Sequence, residues 1–125
     1  MALTTAGINE ISQAIIGAGT PFSNANARIG VGDGSTAFAA SQTDLQGTNK
    51  TRKGMNGGFP TVEPPVVTFQ ATFGPSEANF AWNEWAIFNE ATDGVMLNRV
   101  VESNGTKQSN QTWTLEIAVT FLIGA

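Results

Sequence analysis

The chain contains no cysteine and no histidine. Without cysteine there is no disulfide framework, no thiol nucleophile and no sulfur ligand for a metal. Without histidine, the commonest general base near neutral pH and the commonest metal ligand are both missing. Charge is scarce as well. Asp, Glu, Lys and Arg make up 13% of the 125 residues, about half the share of an average soluble domain. The net charge of -4 is spread without a run of either sign, which speaks against an electrostatic grip on nucleic acid or a membrane surface. No apolar run approaches the ~20 residues of a membrane-spanning helix. The opening MALTTAGINE lacks a basic segment and carries Glu10 where an apolar stretch would stand, so no secretory leader is expected.

Asn, Thr, Ser and Gln fill the gap left by charge. With 41% hydrophobic residues and a mean hydropathy of -0.05, the chain reads as globular rather than disordered. Its length predicts a single domain over residues 1–125, able to bury roughly two-thirds of its unfolded surface around one core. A polar but weakly charged surface suits a protein packed against neighbours, and equally a neutral soluble one.

The first segment, LTTAGINEISQAIIGAG, predicts a helix over about 4–17. Ile8, Ile11, Ile15 and Ile16 recur at helical spacing, so one isoleucine stripe is expected to lie on a sheet. Thr4 or Thr5 can cap the start, while Gly17 and Gly19 stop the helix before Pro21. ARIGVG predicts a short strand, followed by a DGST turn. AFAASQTDLQG is open between a helical turn and an irregular crossing. TNKTRKGMNGG predicts a strand end and a polar loop, and PTVEPP an extended, proline-stiffened approach. Beyond these, VVTFQATF alternates strictly, as does TWTLEIAVTFLI, where Trp113 to Ile123 carry apolar side chains at every second place. With FAWNEWAIFN, the ATDG turn and VMLNRVVE between them, residues 66–123 predict an antiparallel β meander. The fold class expected is α+β, mainly β: an antiparallel sheet or sandwich with one N-terminal helix packed on it.

FAWNEWAIFN concentrates the aromatic mass. As a strand it puts Phe80, Trp82, Glu84, Ala86 and Phe88 on one face and Trp85 and Ile87 on the other. Both faces carry bulk, so the strand is expected to be central, with Trp82, Trp85, Phe88 and Trp113 as core. Glu84 then needs a counter-charge, because an unpaired buried carboxylate is costly. Arg99 on the following segment is the natural partner, with Arg52 or Arg28 as alternatives. Glycoside hydrolysis takes two carboxylates roughly 5–10 Å apart. Glu77 and Glu90 lie at either end of the strand, too far from Glu84 to form such a pair. The expectation is a structural ion pair and no catalysis.

The remaining motifs are weak. Gly30, Gly32 and Gly34 in GVGDGS lack the G-x-G-x-x-G spacing of a dinucleotide site and read as a tight turn. Asp33 and Asp44 have no companions at calcium-loop spacing. Ser and Thr are plentiful, but none has an activating base. No cofactor or metal is expected. Three N-x-[ST] sequons, at Asn49, Asn104 and Asn110, read as chance in a chain so rich in Asn and Thr. Lys50, Arg52 and Lys53 form a small basic cluster that can touch an acidic partner or simply face water.

Three stretches together carry a resemblance: LTTAGINEISQAIIG, then IGVGDGSTAFAASQTDLQG, then NFAWNEWAIFNEATDGVMLNRVVE with TWTLEIAVTF. This pattern resembles a family of small structural proteins of tailed bacteriophages, distantly similar to the N-terminal attachment domain of phage tail-collar fibre proteins. The matching residues are Leu3, Thr4, Ala6 and Gly7; Gly32, Asp33 and Gly34; and Trp82, Glu84, Trp85 and Phe88. Such fibre proteins continue into a long shaft, whereas this sequence stops at Ala125. The resemblance therefore implies a free-standing accessory protein of the virion, assembled in the host cytoplasm. It would be a capsid decoration protein or a tail, collar or fibre-attachment adaptor. The implied partners are copies of itself, trimers included, and the major capsid or tail proteins. A carbohydrate-binding module is the alternative that the three tryptophans raise.

Overall fold

The structure, a computed structural model, describes residues 2–122. One helix, α1 (Thr5–Ala14), precedes seven strands: β1 (Arg28–Gly32), β2 (Lys50–Gly54), β3 (Thr61–Glu63), β4 (Val66–Phe73), β5 (Glu84–Phe88), β6 (Val100–Val101) and β7 (Trp113–Thr120). They form two antiparallel sheets, ordered β2-β1-β5-β6 and β3-β4-β7. The fold is α+β, mainly β, with the sheets facing each other as a sandwich. Ile123, the last apolar residue of the expected terminal strand, lies outside the described residues.

The sheets close over one main core. Ile29, Val31 and Ile87 come from the four-stranded side, and Phe69, Ala71, Phe73, Ile117 and Val119 from the other. The latter five are alternating positions of VVTFQATF and TWTLEIAVTF, so period-2 patterning places them. A second, smaller cluster of Leu45, Ala86, Phe88 and Met96 covers the back of β5. Strand β5 is thus buried on both faces, as its bulk on both sides requires.

The expected meander is corrected. Strand β4 pairs with β7, not with its successor, in an unbroken register from Val66↔Thr120 to Phe73↔Trp113. The physical reason is length and pattern: β4 needs a partner with the same eight-residue alternation, and β7 supplies it. Strand β5 crosses to the other sheet, where Ile87 lies opposite Ile29 and Trp85 opposite Val31. The segment after the Asp93-Gly94 turn, where both residues take positive φ (53° and 64°), forms a regular strand only at Val100–Val101. Buried polar side chains hold the rest: Asn89 Oδ1 accepts from Val95 N, Asn98 Oδ1 accepts from Ile87 N, and the Thr4 hydroxyl donates to Met96 O.

The expected N-terminal helix is present, capped by Thr4, but its length and its isoleucine stripe are corrected. It ends at Ala14, and Ile8, Ile15 and Ile16 are exposed at 50%, 83% and 81%. Only Ile11 packs, half-buried, against the core. The helix docks through its first turn instead. Thr4 N donates to Leu97 O at 3.0 Å, the Thr4 hydroxyl caps Gly7 N at 2.9 Å, and Gly7 lies so close that a Cβ would strike the Leu97 carbonyl. A backbone-to-backbone contact at one end leaves the later isoleucines in solvent.

Candidate functional site

Glu84 opens β5, and its side chain is fully buried. Oε1 accepts from Arg99 Nε at 2.7 Å and from Gln46 N at 2.8 Å. Oε2 accepts from Gly47 N at 2.7 Å and from Gly34 N at 3.0 Å. A carboxylate offers about four lone-pair sites, and four donors fill them. All four donors come from this chain itself. The Arg99 guanidinium is equally enclosed. Its Nη1 donates to Thr36 O at 2.9 Å and to Gln42 Oε1 at 3.2 Å, while Nη2 is buried without a hydrogen-bond partner among the described residues.

Local sequence explains this cradle. The GDG turn leaves β1 beside the first residue of β5, since Gly32 is paired with Glu84. A Cβ on Gly34 would sit 2.8 Å from the Gln46 carbonyl carbon and 2.6 Å from Glu84 Oε2. Only a glycine there lets the GDG turn and the DLQG loop close on the acid together. The Asp33 carboxylate ties the two loops from outside, accepting from Asn49 Nδ2 at 2.8 Å and Asn49 N at 3.1 Å. That bond from the Asn49 side chain holds the Asp33 carboxyl below its ordinary value.

The aromatic residues divide differently from a simple strand. Trp82 falls one residue out of step with β5, so it shares the main core with Ile87 and the half-buried Trp85, while Phe88 faces the second cluster. The expectation that Trp82 shares a face with Glu84 and Phe88 is corrected, while Glu84 and Phe88 keep the common face expected of them. The cause is that regular pairing begins only at Glu84, after Trp82 has been drawn to the Gly105 and Asn104 backbone. Trp82 packs edge-on between Phe73 and Trp113, each with a 4.9 Å centroid separation, and its indole N–H is bonded to Ala78 O at 2.9 Å. Trp82 is buried, and Trp85 and Trp113 are half-buried. Trp82 and Trp113 also line a shallow surface pocket with Asn104, Thr112, Thr114 and Leu115.

The basic cluster is engaged within the chain. Lys50 pairs with Asp44 at 2.7 Å, and Lys53 with Glu77 at 2.6 Å. Arg52 approaches Asp44 at 3.4 Å, donates to Glu90 O and Asp93 O, and lies 3.5 Å above the Phe88 ring. Burial works to raise the Asp44 carboxyl, but Lys50, the Leu45 N–H and Arg52 outweigh it and the net shift is downward. The Lys53 bond, with help from Gly74 N–H, holds Glu77 below its ordinary value.

Sequence reasoning missed Lys107, which is 1% exposed. Its ammonium donates to Gly74 O at 2.6 Å and Asn79 Oδ1 at 2.8 Å, pinning the loop after β4. An isolated lysine in a polar loop carries no signal of that burial. Among the described residues no group of three or more acidic, His or Cys side chains is placed to hold a metal. Comparison with family models, with curated proteins and with solved structures finds no match.

Proposed function

We propose that this chain is a non-enzymatic structural protein of a tailed-bacteriophage virion, docked on the capsid surface as a decoration protein. The observation that carries the reading is how the polar groups are used. The one acid set among the aromatics has every acceptor site filled from within, and the cations of the basic cluster are bonded to neighbouring residues of the same chain. Large apolar side chains meanwhile stand in solvent, Ile15, Ile16 and Leu122 at 81% or more. Such a surface favours burial against other protein. The motifs behind the phage resemblance also converge in space, since the GDG turn supplies a donor to the acid of the Trp-x-Glu-Trp stretch.

A tail, collar or fibre-attachment adaptor is the second reading. It is favoured by that same convergence, because the matching motifs are those of an attachment domain. Gold-labelled antibody against this protein, applied to purified particles, separates the two. Label over the head supports decoration, label confined to the tail replaces it with the adaptor, and particles without the protein remove both.

A further inference from the structure

The two sheets present four edges, and three of them are blunted. Strand β2 carries Lys50, Arg52 and Lys53. Strand β3 has three residues, between Pro60 and the Pro64-Pro65 pair, and β6 has two. Short strands, edge lysines and prolines are the usual devices against unwanted strand pairing. Strand β7 has none of them. It runs for eight residues without proline, lysine or arginine, in a register free of bulges. The sheet it borders is also one strand short of the sheet it faces.

The polarity of that edge follows from the ladder. Gln70 O accepts from Asn56 N and so turns away from β7. Its partner Glu116 therefore turns its own N–H and C=O away from β4, and with a period of two so do Thr114, Ala118 and Thr120. Phe121 N, on the opposite parity, donates to Pro65 O. Thr114, Glu116, Ala118 and Thr120 are all exposed.

We propose that β7 pairs antiparallel with β7 of a second copy, about a two-fold axis at Ile117, joining the two three-stranded sheets into one. The occupant is a second copy because β7 is the one unblunted edge of the described chain, and it is self-complementary in a single register. With Ile117 facing Ile117, the outward N–H and C=O groups of Thr114 meet those of Thr120, and those of Glu116 meet those of Ala118. On the solvent face the pairs are Thr with Thr and Glu with Ala, so no like charges are opposed. On the core face Leu115 meets Val119, and the half-buried Trp113 meets Phe121, which is 45% exposed. Aromatic, aliphatic and Thr–Thr pairs are the favourable cross-strand combinations. Sliding two residues one way opposes Glu116 to Glu116. Sliding the other way sets Thr114 against Leu122 and parts the aromatic pair. An isologous two-fold contact of this kind closes on itself. It goes beyond the virion reading and does not depend on it.

Light scattering coupled to size exclusion tests the pairing. The parent is expected at twice the 13.1 kDa chain mass at high micromolar concentration. Ala118→Pro removes only an N–H that faces the open edge, so the β4–β7 ladder survives, and the variant is expected as a monomer with parental circular dichroism. Ala118→Glu and Ala118→Lys report the register and keep the test open should the proline variant not fold. Glu at 118 would face the partner's Glu116 twice and weaken association roughly two- to thirtyfold, whereas Lys there would match or tighten it. A parent of monomer or trimer mass, a folded Ala118→Pro dimer, or equal effects of Glu and Lys would overturn the proposal.

Discussion

Glu84→Gln is nearly isosteric and keeps one acceptor oxygen, so its cost isolates the charge and the donor pattern. Each carboxylate oxygen now accepts two hydrogen bonds, Oε1 from Gln46 N and Arg99 Nε, Oε2 from Gly34 N and Gly47 N. Whichever way the amide turns, its NH2 faces two donors. The Arg99 guanidinium, whose side chain is 0% exposed, also loses its counter-charge. Removing one partner of a buried pair costs about 3–5 kcal/mol, against a total stability of about 5–15 kcal/mol for a domain of this kind. Urea denaturation followed by fluorescence should show the midpoint falling with little change in slope. Arg99→Met should cost a similar amount. The double variant should cost well under the sum, because no lone charge is then left inside. If Glu84→Gln lies within about 0.5 kcal/mol of the parent, the range usual for surface changes, or if the two substitutions add, the locked centre does not stabilise the fold as argued.

Trp82→Ala removes a ring wedged between Phe73 and Trp113 and should cost about 3–5 kcal/mol in the same assay; parental stability would contradict the core assignment. Lys50→Ala breaks an ion pair whose members are 42% and 39% exposed and should stay within about 0.5 kcal/mol; a loss of core-like size would mean that Lys50 is structural. Acid should weaken the fold through Asp33, Asp44 and Glu77. Their folded-state values are lowered from 3.8, 3.8 and 4.5, so the stability they add is present above those values and lost as pH falls through the folded ones. The melting midpoint should hold from neutral to mildly acidic pH and fall below about pH 4; a midpoint that rises on acidification there would contradict the sign.

The strands with strict alternation were legible because one face of each is core and the other solvent. Positions 66–73 and 113–120 stand where a period-2 reading puts them. Topology was not legible, since alternation says which face is buried but not which strand lies alongside. The helix misled for a related reason. Four isoleucines at helical spacing look like a packing stripe, yet the docking is made by Thr4 and Gly7 against the Leu97 backbone. A glycine at a close backbone approach leaves no hydrophobic signature. Arg99 was legible as a partner of Glu84 because it lies near Glu84 across a turn whose Asp-Gly pair fixes the pairing. Strand β5 puts Glu84 opposite Val101, two residues from Arg99. The three backbone donors were invisible, because every residue type except proline can offer an N–H.

What the donors leave in the sequence is glycine, and this links two motifs that look independent. Gly34 has no φ in the left-handed region, so its backbone would accept alanine. The obstacle is space, since the added methyl would stand 2.6 Å from Glu84 Oε2 and 2.8 Å from the Gln46 carbonyl carbon. Relief requires parting the GDG and DLQG loops, which lengthens the Gly34 and Gly47 bonds to the buried carboxylate together. Gly34→Ala should therefore destabilise by about 1–3 kcal/mol, as overpacking does. At a neutral glycine in extended or helical geometry the same change stabilises by about 0.4–1 kcal/mol through the unfolded chain. Gly57, with nothing within 4 Å of its Cβ position and no positive φ, is the control and should show the stabilising sign. Equal effects at Gly34 and Gly57 in urea denaturation would mean that the glycine turn and the buried acid are not one unit.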